Sequence, residues 1–168
     1  LAQVAAPLVV IYLVADVGSV GGGWISGALM NRGWTVNRAR KTALLMAALM
    51  IAGAMLIVAP QAGSMWAAVG VVSVAAASHQ WWSANLFTTA SDMFPRWAVA
   101  SVVGLGGFAG AMGGMLFQRA TGRILQATNN DYAVIFVICG LAYVTAWLVI
   151  HLLAPRLEPA RLGGTAAS

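Results

Sequence analysis

The residues of this chain that could do chemistry are few, and most sit in one stretch. Residues 78–92 read "SHQWWSANLFTTASD" inside a sequence that is otherwise strongly apolar. Placed on a helix at about 100° per residue, Ser78, Trp81, Trp82, Asn85, Thr88, Thr89 and Asp92 fall in a stripe roughly 120° wide. Phe87 lies nearly opposite, and His79, Ser83, Leu86 and Ala90 form an adjoining face. An unpaired amide or hydroxyl is costly in hydrocarbon, so this stripe does not face lipid. Two readings remain open. The stripe either glues its helix to neighbours through interhelical hydrogen bonds, or it lines a wet cavity and binds a polar solute. Trp81 and Trp82 offer flat apolar faces and N–H donors, and Asn85 offers a donor and an acceptor, which suits a polyhydroxylated ligand. Ser78, His79 and Thr89 complete that candidate binding set. Asp92 reads instead as a helix-end cap beside Arg96.

A second candidate is Asp16, within "YLVADVGS". An ionisable group deep in an apolar span is a functional candidate by default, for proton coupling or for pairing with another helix near Ser19.

These groups must be carried by membrane helices. Of 168 residues, 61% are hydrophobic and 8% charged, against about 25% charged in soluble domains. Several apolar runs reach the roughly 20 residues that cross a bilayer. Alternation of apolar and polar residues is absent, so a barrel is excluded in favour of an all-α integral membrane protein. Five transmembrane helices are expected, at about 5–30, 42–59, 65–91, 96–118 and 132–154, with a tail over 155–168. Pro60 stops the second span and Pro95 opens the fourth.

Basic residues set the orientation. Arg32, Arg38, Arg40 and Lys41 in the first connection, Arg96 in the third, and Arg156 and Arg161 in the tail share one side, against Arg119 and Arg123 on the other. The positive-inside rule places the first connection and the C-terminus in the cytoplasm. The net charge of +5 follows this topology, so no nucleic-acid partner is expected. Trp34, Trp66 and Trp97 fall at span ends, where indoles anchor in the interface. Trp81 and Trp82 lie mid-span and do not fit that pattern.

Glycines concentrate in the first span (Gly18, Gly21, Gly22, Gly23, Gly27) and the fourth (Gly104, Gly106, Gly107, Gly110, Gly113, Gly114). Small residues four apart let helices approach closely, so these two spans are expected to make the tightest contacts. The glycine strings are not phosphate loops, because no strand precedes them and no Lys-Ser/Thr follows. Cys139 reads as a small buried residue, and no metal-ligand spacing is present. Enzymatic function is not expected. "VGSV" at 17–20 has no histidine partner on its own helix, and Asp16 and Asp92 lie at different depths, so they cannot form a carboxylate dyad. The chain opens on Leu1 inside an apolar run, without signal-peptide features, and reads as a piece whose beginning lies elsewhere.

The blocks "ADVGSVGGGWISGALMNRGWTVNRARK" and "HQWWSANLFTTASDMFPRWAVASVVGLGGFAGAMGGMLF" resemble the hexuronate transporters of the anion:cation symporter family, within the major facilitator superfamily. The resemblance runs over essentially the whole chain to about residue 154. It implies that 1–154 is an incomplete C-terminal half of that fold, helices eight to twelve of twelve. Gly27, Asn31, Arg32 and Gly33 match the family's cytoplasmic loop motif, with Arg38, Arg40 and Lys41 displaced and Asn31 in place of the usual carboxylate. Helix ten, which carries the Trp/Asn stripe, would line the central cavity, and helices eight and eleven would face the other half. Related carriers of sugar acids often hold an asparagine midway along helix eleven, and the matching place near Ala111 has none. The implied function is proton-coupled uptake of glucuronate- or galacturonate-like acids by alternating access, in a bacterial inner membrane, without cofactor or metal. The implied partners are the organic anion, a proton, the lipid bilayer and the N-terminal half of the same transporter. The competing class is a structural or assembly membrane subunit whose stripe only glues helices.

Overall fold

The computed structural model describes residues 2–58 and 63–160. Pro60 with the end of the second expected span, and Arg161 in the tail, lie outside the described residues. Within them the chain is helical throughout, without a strand. The helices are α1 (Ala2–Asn31), α2 (Val36–Gly53), α3 (Met65–Met93), α4 (Arg96–Ala127) and α5 (Ala133–Leu153), with a π-helical turn over Ala54–Val58 extending α2.

Local chemistry explains the boundaries. After Asn31 the chain turns at Gly33, whose φ of 85° is open to a residue without Cβ. Thr35 then caps α2, its Oγ1 accepting from the Arg38 N–H at 3.3 Å. Consequently Arg38, Arg40 and Lys41 ride on the first turns of α2, not in a loop. Ser64 caps α3 in the same way, accepting from Ala67 N–H at 3.2 Å. Pro95 immediately precedes α4, as its missing N–H and fixed φ favour. Helix α4 runs nine residues past the expected end near 118, because "QRATGRILQA" holds no breaker. It stops only before Asn129 and Asn130, whose φ values are 52° and 65°.

Four helical stretches are long and apolar enough to cross a membrane: Ala5–Asn31, Val36–Ile57, Arg96–Ala127 and Ala133–Leu153. Helix α3 has 29 residues, so length is not what sets it apart. Its polar run from Ser78 lowers its apolar character below theirs. Large apolar side chains stand exposed on the outer faces, among them Val17, Val20 and Trp24 on α1, Leu105 and Phe108 on α4, and Leu152 and Leu153 on α5. This is a surface compatible with a multi-pass membrane protein.

Helix α3 is the hub. Gly18 meets Ala77 and Gly22 meets Trp81, so α1 runs parallel to α3 in close register. Helix α2 runs antiparallel to both, and its Leu44, Ala47 and Ala48 pack against Trp81 and Trp82. Ile25 of α1 and Tyr143, Val144, Trp147 and Ile150 of α5 close around that cluster. A second cluster joins Ile51, Ala54 and Met55 to Val71.

The two glycine-rich helices behave differently. A Cβ on Gly18 would fall on the Ala77 backbone, and one on Gly22 would lie 2.5 Å from Trp81 Cγ. These two glycines make the α1–α3 approach possible. On α4, by contrast, the space beside Gly104, Gly106, Gly107, Gly110, Gly113 and Gly114 is open. The expected tight contact of the fourth span is therefore absent among the described residues, and α4 touches the bundle mainly through its first turns, where Ala98 is buried. Gly18→Ala should cost about 1–3 kcal/mol through overpacking. Gly113→Ala should be neutral or stabilise by up to ~1 kcal/mol through helix propensity. Thermal unfolding of the two variants in detergent checks this opposition of sign.

Candidate functional site

The polar stripe of α3 points inward, onto α1 and α2. Ser78, Trp81, Trp82, Asn85 and Thr89 are all buried. The hydroxyls are satisfied within their own helix: Ser78 donates to Val74 O at 2.7 Å, Thr88 to Ala84 O at 2.6 Å and Thr89 to Asn85 O at 2.8 Å. Such back-bonding to the preceding turn removes the desolvation penalty without a partner helix.

Asn85 works across helices. It is fully buried, and its amide Nδ2 donates to Gly22 O of α1 and to Trp81 O of its own helix, both at 3.1 Å. Its Oδ1 accepts from Arg40 Nη1 of α2 at 3.4 Å. Arg40 is the centre that the charge count concealed. The same Nη1 donates to Ser26 Oγ of α1 at 2.8 Å, and Nε donates to Asp92 Oδ2 at 2.9 Å. One guanidinium, nearly buried, thus binds a carboxylate, a hydroxyl and an amide from two other helices. Asp92 pairs with Arg40 and not with Arg96. Arg96 lies exposed at the start of α4, whereas the burial of Arg40 demands a counter-charge.

Trp81 is the exception in the stripe. It is 8% exposed, yet its Nε1–H has no hydrogen-bond partner among the described residues. Its ring forms one wall of a groove of about 330 Å³ between α1, α2 and α3, lined also by Val14, Val17, Gly18, Gly21, Met50, Val74 and Ala77. Asp16 lies exposed on α1 with no hydrogen bond or ion pair among the described residues. It lines a second concavity with Val17, Val20, Gly21 and Trp24. Val17 and Gly21 border both spaces, so Asp16 and Trp81 flank one stretch of α1. Ser19 is half-buried, and no described helix supplies Asp16 with a partner there.

His79 belongs to another face. Its Nδ1 shares a 2.5 Å hydrogen bond with the Tyr143 hydroxyl of α5, and Trp82 packs edge-on to the same tyrosine ring at 5.3 Å. The structure therefore does not gather His79 with Trp81. Of the loop-motif residues, Gly27 lies on α1 and Asn31 ends it. Arg32 and Gly33 form the turn, and Arg38 stacks over Trp34 at 4.1 Å. Lys41 donates to Pro155 O at 2.8 Å.

Sequence reasoning missed Arg40, Ser26 and Tyr143 as members of these arrangements. The usable signal was Asp92. A carboxylate on the stripe of a membrane helix calls for a cation, and Arg40 lies five residues into the helix from the Thr35 cap of α2. Among the described residues no group of three or more His, Cys, Asp or Glu could hold a metal ion. No family model matches the chain, no curated protein matches it, and no solved structure matches it.

Breaking the Arg40 centre should be costly from either side. Asp92→Asn and Arg40→Met should each destabilise by about 2–4 kcal/mol, and Arg40→Met/Asp92→Leu should recover part of the loss. Asn85→Ala should cost about 1–3 kcal/mol by leaving the Gly22 carbonyl and Arg40 short of a partner. Unfolding midpoints of the four purified variants test this. Unchanged midpoints would show that the network does not hold the three helices.

Proposed function

We propose that this chain is part of a secondary active transporter of the major facilitator type, one that takes up hexuronates or related sugar acids with protons by alternating access. The resemblance of the 15–41 and 79–117 blocks motivates the reading. The observation that carries it is Trp81: an indole that lines a groove of about 330 Å³, with its N–H shut off from the surface and without a partner among the described residues. A buried donor left unmade is unfavourable in the empty state, and a turn of the indole toward the groove would let a hydroxyl or carboxylate oxygen of a sugar acid satisfy it, with the sugar ring against the indole face. Asn85, Ser78 and Thr89 then position Trp81 instead of touching solute, since their own hydrogen bonds are made within the chain.

Asp16 supports the coupling part of the proposal. A carboxylate midway along an apolar helix does not face acyl chains without penalty, so its side of α1 turns toward water or toward further protein. In the proposed transporter that protein is the N-terminal half, which would also cover the open glycine face of α4. The excess of basic residues in the α1–α2 region and the tail supports the reading that this end of the bundle faces the cytoplasm, in a bacterial inner membrane.

One observation favours the competing reading, a structural membrane subunit: the amide of Asn85 is saturated by Gly22, Trp81 and Arg40. The two are separable in vesicles carrying the complete transporter. Trp81→Phe keeps an aromatic face, though a smaller one, and removes the N–H. It should raise the KM for radiolabelled glucuronate by about tenfold at unchanged protein level. Asp16→Asn should abolish accumulation driven by a pH gradient while substrate exchange continues. Wild-type uptake in both variants would exclude this site and leave the structural role.

A further inference from the structure

At the basic end of the bundle, α2 and α5 enclose a concavity of about 390 Å³ lined by Asn37, Arg38, Lys41, Thr42, Leu45, Trp147 and His151. It lies on the side of α2 that meets α5, away from the groove of Trp81. Its charge is unbalanced. Lys41 is only 6% exposed, and the sole hydrogen-bond partner of its ammonium among the described residues is the carbonyl of Pro155. The chain holds four carboxylates, and none serves this cavity. Asp92 is taken by Arg40, Glu158 faces Arg156 at 3.8 Å, Asp16 lies midway along α1, and Asp131 precedes α5 at the opposite end. A buried ammonium without a counter-charge is strongly disfavoured, and at the rim Arg38 adds a guanidinium that meets the Trp34 ring and no carboxylate. An anion is the missing element.

The walls are fixed in place. Trp147 Nε1 donates to the Lys41 carbonyl at 2.9 Å, and His151 stacks on the Trp147 ring at 4.9 Å. Along α2 the residues Arg38, Thr42, Leu45 and Leu49 follow one another on a single helical face, running from charged through hydroxyl to apolar. Along α5, His151 is followed one turn earlier by Leu148. Leu49 and Leu148 are both exposed. This face therefore grades from cationic to oily over about three turns, the polarity profile of a lipid from headgroup to tails.

We propose that this groove is a binding site for an anionic phospholipid, its phosphate held by Lys41, Arg38 and the hydroxyl of Thr42, and its chains lying against Leu45, Leu49 and Leu148. Basic pockets between membrane helices are suited to such headgroups. The amphipathic Trp147 marks the depth at which the headgroup meets the chains. The site is independent of any transported solute.

The test uses the full chain purified in neutral detergent. It is titrated with phosphatidylglycerol, with phosphatidylcholine of the same acyl chains, and with inorganic phosphate. Thermal unfolding and lipid retention in native mass spectrometry are the readouts. Phosphatidylglycerol should raise the unfolding temperature and stay bound, and phosphatidylcholine and phosphate should do neither. Arg38→Gln and Lys41→Gln should each weaken retention about fivefold. Arg38 is exposed, so its variant keeps the fold and decides the matter if Lys41→Gln does not fold. Equal retention of phosphatidylcholine, stabilisation by phosphate alone, or undiminished retention in Arg38→Gln would each overturn the proposal.

Discussion

A guanidinium taken out of water must be met on several sides at once, and Arg40 imposes that condition on the whole bundle. Its position on α2 is answered by Asp92 and Asn85 from α3 and by Ser26 from α1. Those partners come from chain segments separated by 14 to 52 residues. The apolar contacts of Leu44, Ala47 and Ala48 with Trp81 and Trp82 are non-directional and would tolerate sliding. The arginine's hydrogen bonds would not. They set the register in which Gly22 comes beneath Trp81 and Asn85, and so the closeness of α1 to α3 follows from the charge as much as from the glycines.

The sequence made the helices legible because hydrocarbon leaves the backbone little choice. The sorting of Ser78, Trp81, Trp82, Asn85 and Thr89 onto one face was legible for the same geometric reason, and all five are indeed covered. What covers them was not. Their partners lie on α1 and α2, and helical periodicity carries no information about which face of a distant helix arrives opposite. Arg40 was hidden more specifically. Counting basic residues by side treats each as a marker of topology, whereas burial separates Arg40 and Lys41, inside, from Arg32 and Arg38, outside. Tyr143 was hidden because it and Thr145 are the only hydroxyls in "AVIFVICGLAYVTAWLVI" and two do not make a pattern, although Tyr143 is the residue that meets His79.

The glycine motif shows how far spacing alone can be taken. Gly18/Gly22 and Gly106/Gly110 share the same four-residue spacing, yet one pair is pressed against α3 and the other borders open space. The difference lies in what stands opposite. Helix α3 offers Ala77 and a flat indole, while α4 faces a cleft of about 480 Å³ walled by Leu86, Phe87, Ile150 and Leu157. A small residue permits close approach, and only a complementary surface brings it about.

The end of the described chain is stitched to earlier helices. Beyond α5, Pro155 O accepts from Lys41, Leu157 N–H donates to Asn37 Oδ1 at 3.1 Å, and Ala160 N–H donates to Met93 O at 2.7 Å. A ribosome delivers this stretch after α2 and α3 have been made. It therefore acts as a strap that closes onto helices already synthesised, and it ties the start of α2 to the end of α3 a second time, beside the Arg40–Asp92 bridge.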